Sequence, residues 1–311
     1  MTSQASGRVI RIDAALEALV SSDAEVEKLA GGFGFTEGPI WTRQGTLVFS
    51  DIPRNTMYQW TPNGEVSVYR QPSGFDGDGA PPGALIGSNG LTLDAEGRIV
   101  VCEHGNRRVT RLEHDGAVTV LADRWGGKRL NSPNDAVHKS DGSLYFTDPP
   151  YGLLQQDRDP AKELDFNGLF RLVDGKLQLL HAALTRPNGL AFTPDEKYLY
   201  VANSDRERRI WMRFEVNDDG SLGEGEVFLD VTAFPAPGAP DGMKLDRAGN
   251  LFCTGPGGIL VITPDAHHLG TIQLPEQPAN LHWGDLDART LYITARTGLY
   301  RVRTNTTGIR P

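Results

Sequence analysis

Short runs of alternating apolar and polar residues recur along the whole chain, and Gly, Asn or Asp residues separate them. In RPNGLAFTPDEKYLYVANSD, Arg186 to Asp205, the strand GLAFT is followed by the turn PDEK and by a second strand, YLYVANS. Elsewhere a third strand such as GLFRLVD leads through a VDG turn to a fourth, LQLLHA. Alternation with a period of two residues is typical of half-buried β-strands. The pattern predicts an all-β chain built from four-stranded units.

This four-strand unit returns six times, and each copy opens with an Asn or an acidic residue, in most copies followed by Gly. The opening residues are Glu37, Asn89, Asn134, Asn188, Asp241 and Asn280. Their spacing of 39 to 54 residues is in the range of propeller blades rather than of helical repeats. We therefore predict an all-β, six-bladed β-propeller, with a β-sandwich or a solenoid as the alternative.

The two ends of the chain contain a closure signal. After Asn280 there is room for only three strands, and the segment EVEKLA, Glu25 to Ala30, resembles the outer strand VTVLAD. Pairing this N-terminal strand with the last blade would close the ring and leave no exposed inner edge. Before it, apolar residues spaced for one face of a short helix lie at Ile12, Leu16, Leu19 and Val20. We predict one domain over residues 1–311, in which residues 1–24 form an extension with that helix.

The composition of the chain disfavours two classes of binding partner, nucleic acids and membranes. Lys and Arg total 31 against 40 Asp and Glu, a formal charge of -9, which disfavours a broad basic surface for nucleic acid or anionic lipid. No apolar run reaches the roughly 18 residues of a membrane helix, and no signal-peptide pattern begins the chain. We expect a cytoplasmic protein that binds neither nucleic acid nor membranes. Cys102 and Cys253 occupy the same point of non-adjacent repeats, so both are expected to be reduced.

The residues that open the repeats are the candidate chemistry. An isolated Asn-Gly pair is typical of a tight turn, but here each pair follows a long connection, such as LADRWGGKRLNSP before Asn134. The pairs therefore mark the starts of the innermost strands, which share one mouth of the central channel. Clustered carboxylates oppose joint ionisation, and a divalent cation would remove that conflict. Oxygen ligands from separate blades suit Ca²⁺ better than Mg²⁺. The predicted metal ligands are Glu37, Asn134, Asn188 and Asp241, with Asn89 and Asn280 close by; an ion that only pins the blades is the alternative.

The second strands run back to the same mouth and are expected to bring further polar side chains to it. These are Asp51, Glu103, His104, Asp148 and Asn203, with Tyr151 just beyond. His104 is either a general base or substrate donor, or a hydrogen-bonded structural residue. Asp148 equally suits a turn cap. Two inserts, residues 71–87 and 151–168, are long enough to form a substrate rim.

At the motifs EGP, PND, PNG and PDG the chain resembles the gluconolactonase, regucalcin and senescence marker protein family of six-bladed propellers. The similarity covers roughly Phe33 to Thr304, and CEHGNRRV and TDPPYGL resemble the bacterial gluconolactonase branch. The resemblance implies one divalent metal ion, usually Ca²⁺ in bacterial members, with Mg²⁺, Mn²⁺ and Zn²⁺ as alternatives. It implies hydrolysis of a sugar lactone, such as glucono-1,5-lactone, to the aldonic acid. The metal would be held at the Glu, two Asn and Asp already singled out.

The resemblance also suggests roles for individual residues. Asp241 is the first choice for the general base, with Asp135 and His104 as alternatives, and Asn134 is assigned to catalysis beside it. Animal members carry an Arg two residues before the Asn of the Asn-Asp pair, where this chain has Ser132. The residues expected to contact substrate are His104, Arg129 as a substitute for that Arg, Asn134, Asp135 and Tyr151.

Two rival functions are kept. One is a phosphotriesterase of the diisopropylfluorophosphatase type on the same ring, and the other is a non-catalytic calcium-binding propeller. No Gly-x-Ser-x-Gly pattern is present, which disfavours a serine esterase. The sequence leaves open which lactone is used and whether two copies form a homodimer.

Overall fold

Six antiparallel sheets account for almost all regular structure between residues 7 and 310, the part of the chain described by the computed structural model. In five of the six blades the strands follow each other outwards in chain order, so the first strand of each blade lines the central channel. The sixth blade has the same order for its first three strands and takes its outer strand from the N-terminal segment. The predicted six-bladed β-propeller is confirmed.

The first three blades are built from consecutive strands that follow one another from the channel outwards. Blade 1 comprises Thr36–Trp41, Leu47–Asp51, Thr56–Trp60 and Val66–Arg70. Blade 2 comprises Ser88–Leu93, Ile99–Glu103, Arg108–Leu112 and Val118–Ala122. Blade 3 comprises Ala136–His138, Leu144–Asp148, Gly168–Val173 and Lys176–His181. A two-stranded ribbon, Arg124–Trp125 with Lys128–Arg129, lies between blades 2 and 3 in the chain.

The last three blades follow the same plan. Blade 4 comprises Pro187–Phe192, Tyr198–Asp205, Arg208–Val216 and Leu222–Asp230. Blade 5 comprises Met243–Leu245, Leu251–Gly255, Gly258–Ile262 and His268–Gln273. Blade 6 comprises Pro278–Gly284, Thr290–Ala295 and Gly298–Arg303.

The N-terminal segment contributes the outermost strands of two blades. Val26–Gly31 pairs antiparallel with Gly298–Arg303, which makes it the fourth strand of blade 6. Arg8–Arg11 pairs with His268–Gln273 as a fifth strand of blade 5, an element that sequence patterning missed. The beginning and end of the described chain therefore share hydrogen bonds in one sheet.

The helix expected between residues 12 and 20 is a five-residue 3₁₀ helix, Ala14–Ala18, and the described residues contain no α-helix. The Asp13 side chain accepts a hydrogen bond from the backbone N–H of Ala15 at 2.8 Å and so caps its start. Leu16 and Val20 are fully buried, whereas Ile12 is 60% exposed. Fewer of the apolar residues between 12 and 20 are therefore buried than their spacing in the sequence indicates. One further 3₁₀ turn lies at Gln156–Arg158.

The core consists of side chains packed between neighbouring sheets. Trp211, Trp283 and Phe49 are among the largest side chains that are completely buried. Cys102 and Cys253 are buried free thiols in different core clusters, as expected from their places in non-adjacent repeats. Among residues 7–310 there is no helix with the length and apolar character needed to cross a membrane.

Candidate active site

Glycine follows the first polar residue of most blades because the next blade lies against it. An ideal Cβ on Gly38 would lie 2.0 Å from the carbonyl oxygen of Asn89, and one on Gly189 would lie 2.3 Å from the carbonyl oxygen of Asp241. Neither distance leaves room for a side chain. The repeated Asn-Gly and Asp-Gly pairs thus mark points of backbone contact around a narrow ring, not hairpin turns.

Strand register decides which side chains share the top layer of the channel. In blade 2, Ser88 pairs with Glu103 and Leu91 pairs with Val101, so the first strand has one more residue between these pairs than the second strand has. Asn89 is the first residue within this register shift. The equivalent pairs in blade 6 are Pro278 with Ala295 and Leu281 with Ile293. The sequence alignment of Asn280 with the other opening residues is therefore wrong by one position. The top layer consists of Glu37, Asn89, Asn134, Asn188, Asp241 and Ala279.

Asn280 instead shares a second layer with Asp135, at the position where the other four blades have glycine. Its Nδ2 donates to Glu37 Oε2 at 3.1 Å and to Asp135 Oδ2 at 3.3 Å. A Cβ on Gly90 would lie 2.5 Å from Asp135 Oδ1, so the neighbouring glycine makes space for this side chain. Asp135 is 2% exposed, and it lies inside the channel beneath the top layer rather than on the rim.

Three carboxylates, those of Glu37, Asp135 and Asp241, share this site and oppose one another's ionisation. Burial raises the pKa of Glu37 to about 7, and the charge of Asp135 adds to the rise. Burial also raises the pKa of Asp241 well above its usual value, followed by the charges of Glu37 and Asp135. Burial raises the pKa of Asp135 as well. A cation at the mouth would relieve all three carboxylates at once.

Two buried acceptor atoms in the top layer, Asp241 Oδ1 and Asn89 Oδ1, have no hydrogen-bond donor among residues 7–310. Unsatisfied buried oxygens are rare because each loses its hydration without compensation. No three His, Cys, Asp or Glu side chains of residues 7–310 form a ready-made metal cluster, so a site here needs amide oxygens as well. The carboxylate and amide oxygens gathered here, some of them without a hydrogen-bond partner, are the kind of ligands that a hard divalent cation prefers.

Equivalent residues at the channel-mouth end of the second strand orient the ring amides in blades 2 and 4: His104 directly follows Ile99–Glu103, and Ser204 lies near the end of Tyr198–Asp205. His104 Nε2 lies 3.1 Å from Asn89 Nδ2, and Asn188 Nδ2 donates to Ser204 Oγ at 2.8 Å. Burial lowers the pKa of His104 to about 4, so its ring is neutral at pH 7. His104 is 1% exposed, and its observed contact positions Asn89; its contact with substrate stays a prediction.

Three of the polar residues expected near the ion brace the backbone that leads into the ring. The Asp51 carboxylate accepts from the N–H groups of Gly34 and Phe35 at 2.9 and 3.2 Å. Asp148 Oδ2 accepts from the N–H of Asn131 at 2.7 Å, which agrees with the turn-capping alternative. Asn203 Oδ1 accepts from the N–H of Arg186 at 2.8 Å. Glu103 instead binds Arg108 and Thr110 within its own blade, both at 2.7 Å.

A set of hydroxyl groups that sequence analysis missed joins adjacent blades at the ring, in the pairs 1 with 2, 3 with 4 and 5 with 6. Ser50 Oγ donates to the carbonyl of Asn89 at 2.8 Å, and Thr147 Oγ1 donates to that of Asn188 at 2.8 Å. Thr254 Oγ1 donates to the carbonyl of Ala279 at 3.0 Å. The sequence signal is a Ser or Thr near the end of the second strand in FSD, FTD and CTG.

The insert that begins at Tyr151 packs against the channel mouth. Tyr151 is half-buried, and burial followed by the charge of Asp241 raises the pKa of its phenol. A Cβ on Gly152 would lie 2.8 Å from Ser132 Cβ and 2.9 Å from His104 Cβ. Ser132 Oγ also donates to the carbonyl of Pro149 at 2.6 Å. Ser132 is thus buried beneath the insert, where a longer Arg side chain would not fit.

Arg129 lies on the ribbon at the rim. Its Nη2 donates to the carbonyl of Asn106 at 2.9 Å, and its backbone N–H donates to Glu163 at 2.8 Å. Its role as a substrate ligand stays a prediction. Beside Asp241 a cleft of about 830 Å³ opens between blades 5 and 6, with Arg206, Gln277 and Arg296 among its lining residues. Asp241, which is partly exposed, lines this cleft.

Comparison with known proteins assigns this propeller to a family of lactonases. Residues 35–297 match the sequence profile of the SMP-30/Gluconolactonase/LRE-like region. The chain is 39% identical to a gluconolactonase of Zymomonas mobilis over 99% of its own length and 89% of the relative. The protein belongs to the SMP-30/gluconolactonase/LRE-like family.

Solved structures agree with this assignment. A gluconolactonase of Xanthomonas campestris superimposes with a TM-score of 0.83 at 34% identity, covering 96% of this chain and 94% of that one. A regucalcin from Agrobacterium tumefaciens superimposes with a TM-score of 0.72 at 19% identity, covering 91% and 95% of the two chains. At that identity the second comparison shows the shared fold alone.

Proposed function

We propose that this protein is a metal-dependent lactonase that opens glucono-1,5-lactone or a related sugar lactone to the aldonic acid. The observation that carries the proposal is the group of three carboxylates at the channel mouth, two of them buried; the third, Asp241, keeps an oxygen without a hydrogen-bond donor among residues 7–310. The relatives from Zymomonas mobilis and Xanthomonas campestris, both named gluconolactonases, support the choice of substrate class.

Glu37, Asn134, Asn188 and Asp241 are the residues that would hold the metal, with Asn89 as a further oxygen donor. We propose Ca²⁺ as the ion, because carboxylate and amide oxygens from separate blades tolerate its variable coordination; Mg²⁺, Mn²⁺ and Zn²⁺ are the alternatives. When bound, such an ion supplies Lewis-acid polarisation of the lactone carbonyl. Asn280 keeps Glu37 oriented from beneath, and Ser204 fixes the amide of Asn188.

Asp241 is proposed as the general base. It is the partly exposed carboxylate of the three and borders the cleft. Asp135 and His104, the alternative bases, are 2% and 1% exposed and do not line this cleft. Asp241 would take a proton from water as the water oxygen bonds to the carbonyl carbon. Breaking the ring C–O bond then leaves an alkoxide, which receives that proton and becomes the hydroxyl of the aldonic acid.

The test compares wild type, chelated wild type and Asp241→Asn on a panel of aldonolactones and one organophosphate, with background hydrolysis subtracted. A pH indicator follows the acid released at each turnover. We expect lactone hydrolysis that chelation abolishes, and a loss of roughly 10² to 10⁴-fold in kcat for Asp241→Asn with the fold retained. Lactone turnover that survives complete chelation contradicts the metal mechanism. Turnover of the organophosphate alone would favour a phosphotriesterase.

A further inference from the structure

Lys244 is a charged side chain in the wall of the channel, below the three carboxylates. Its register places it one layer under Gly242 and Asn280: it pairs with Phe252, as Thr92 pairs with Val100 in blade 2. The remaining members of this third layer, each at the same register position of its own blade, are Ile40, Val137, Ala191 and His282. Burial lowers the pKa of His282 to about 3, so this residue is neutral at pH 7. Lys244 is therefore the charged residue of this third layer.

The contacts of the neighbouring residues bring Lys244 close to the carboxylates. A Cβ on Gly242 would lie 2.1 Å from Asn280 Cγ, and Asn280 in turn binds both Glu37 and Asp135. Lys244 is two residues further along the same strand, a rise of about 6 to 7 Å, and faces the same side. The ammonium counteracts the burial that raises the pKa values of Glu37 and Asp135.

Lys244 has no ion-pair partner within 4.0 Å among residues 7–310. Its Nζ donates to the carbonyl of Met243 at 3.0 Å. Lys139, on the rim of the cavity below, is by contrast paired with Asp141 and Glu196 at 3.4 and 3.3 Å. That cavity has a volume of about 320 Å³ and is lined largely by apolar side chains, among them Leu93 and Phe192. The cavity is also lined by Asp94 and Glu196, but Asp94 is paired with Arg98 at 2.7 Å and Glu196 with Lys139. The carboxylates above, which have no ion pair among residues 7–310, are thus the opposite charges that remain for Lys244.

We propose that Lys244 is a built-in counter-cation for the carboxylates of the metal site and that it makes this site favour divalent over trivalent ions. The inference rests on the metal site of the proposed function. Three carboxylates, one divalent ion and one ammonium sum to zero charge, whereas a trivalent ion would leave an excess positive charge in a buried site. Lys244 also occupies the channel where a second cation would otherwise approach the carboxylates from below.

Calorimetric titration of metal-free protein with Ca²⁺ and with Tb³⁺ at pH 7.5 tests this role. The variants are Lys244→Met, Lys244→Arg and the matched control Lys139→Met. Removing a nearby positive charge strengthens cation binding, and the Coulomb energy scales with the charge of the ion. For Lys244→Met we expect at least about tenfold tighter binding of Ca²⁺, and a logarithmic gain for Tb³⁺ about 1.5 times larger. Lys244→Arg and Lys139→Met should bind both ions as wild type does.

The outcomes separate this inference from the proposed function. Wild type that binds no divalent ion would overturn the metal site and the role of Lys244 together. A second outcome would overturn the role of Lys244 alone. In it, wild type binds Ca²⁺, but Lys244→Met binds Ca²⁺ and Tb³⁺ no more tightly than wild type does. Thermal melting of each variant shows whether it is folded. If Lys244→Met does not fold, Lys244→Gln is titrated in its place, with the same two outcomes deciding.

Discussion

Single residues at the channel mouth are constrained mostly by space. Gly38, Gly189 and Gly242 each lie so close to the next blade that a methyl group would overlap its atoms. Asp135 and Asn280 use the room that such glycines leave. The layered arrangement of ligands therefore depends on where side chains are absent as much as on where they are present.

Gly242→Ala is expected to destabilise the protein and weaken metal binding, because its Cβ would displace the Asn280 side chain that holds Glu37. Overpacking of this kind costs about 1 to 3 kcal/mol of unfolding free energy. Urea denaturation and calorimetry of the metal-free protein would measure the two effects. The matched control is Gly223→Ala, whose Cβ would make an ordinary 3.5 Å contact with Glu215 Cβ. Similar losses in both variants would contradict a role for this close approach.

At the scale of elements, the second strand of each blade supports the first. Asp51, Asp148 and Asn203 bind the backbone before the ring residues of their blades, and Ser50 and Thr147 bind the carbonyls of the next blade. The ring geometry is thus held by hydrogen bonds from neighbouring strands, which limits how far each ligand can move.

Deleting residues 1–30 is expected to lower stability sharply or to prevent soluble expression. The deletion removes almost all of the strand Val26–Gly31 and leaves the outer edge of Gly298–Arg303 unpaired. It also removes the ion pairs of Lys28 with Glu276 at 3.0 Å and of Glu27 with Arg301 at 2.6 Å. A thermal melt compares this variant with wild type and with a chain lacking residues 1–6. A midpoint equal to that of wild type would show that this strand is dispensable.

At the scale of the whole molecule, ring closure brings together groups that are far apart in the chain. Glu37 and Asn280, which share a hydrogen bond of 3.1 Å, are separated by 243 positions. The carboxylates of blades 1, 3 and 5 face one channel, so the stability of the ring depends on how their charge is neutralised.

The thermal stability of the metal-free protein is expected to fall as pH rises from about 4.5 to about 7. Burial and neighbouring charge raise the pKa of Glu37 from 4.5 to about 7 in the folded protein. The folded state therefore holds more protons than the unfolded state in this window, and ionisation favours unfolding. Added Ca²⁺ should raise the melting temperature more at pH 7.5 than at pH 5, because it binds the ionised carboxylates.

Glu37→Gln is the matched variant for this pH dependence, since it preserves shape and removes one titrating group. Its metal-free melting temperature should depend less on pH between 5 and 7.5, and its stabilisation by Ca²⁺ should shrink. Differential scanning calorimetry at fixed ionic strength measures both. A wild-type melting temperature that rises steadily between pH 5 and pH 7.5 would contradict the raised pKa of Glu37 as the cause of the pH dependence.

The sequence alone determined the number of blades and the chemical character of the site. Period-two alternation and turn residues are local properties, so six repeats and their four strands could be found without coordinates. The four proposed ligands Glu37, Asn134, Asn188 and Asp241 all lie in the top layer because each opens its own repeat. The five-residue helix and the outer strand Arg8–Arg11 were misjudged or missed, since short elements give little periodicity.

The tertiary structure decided which layer each side chain occupies and what it contacts. A one-residue register shift separates Ala279 from Asn280, and alternation along a single strand cannot locate such a shift. The contact of His104 with Asn89, the burial of Ser132 and the position of Lys244 beneath the carboxylates all depend on packing between blades. These features arise from contacts between segments distant in the chain, and distances of that kind are defined only once the ring has closed.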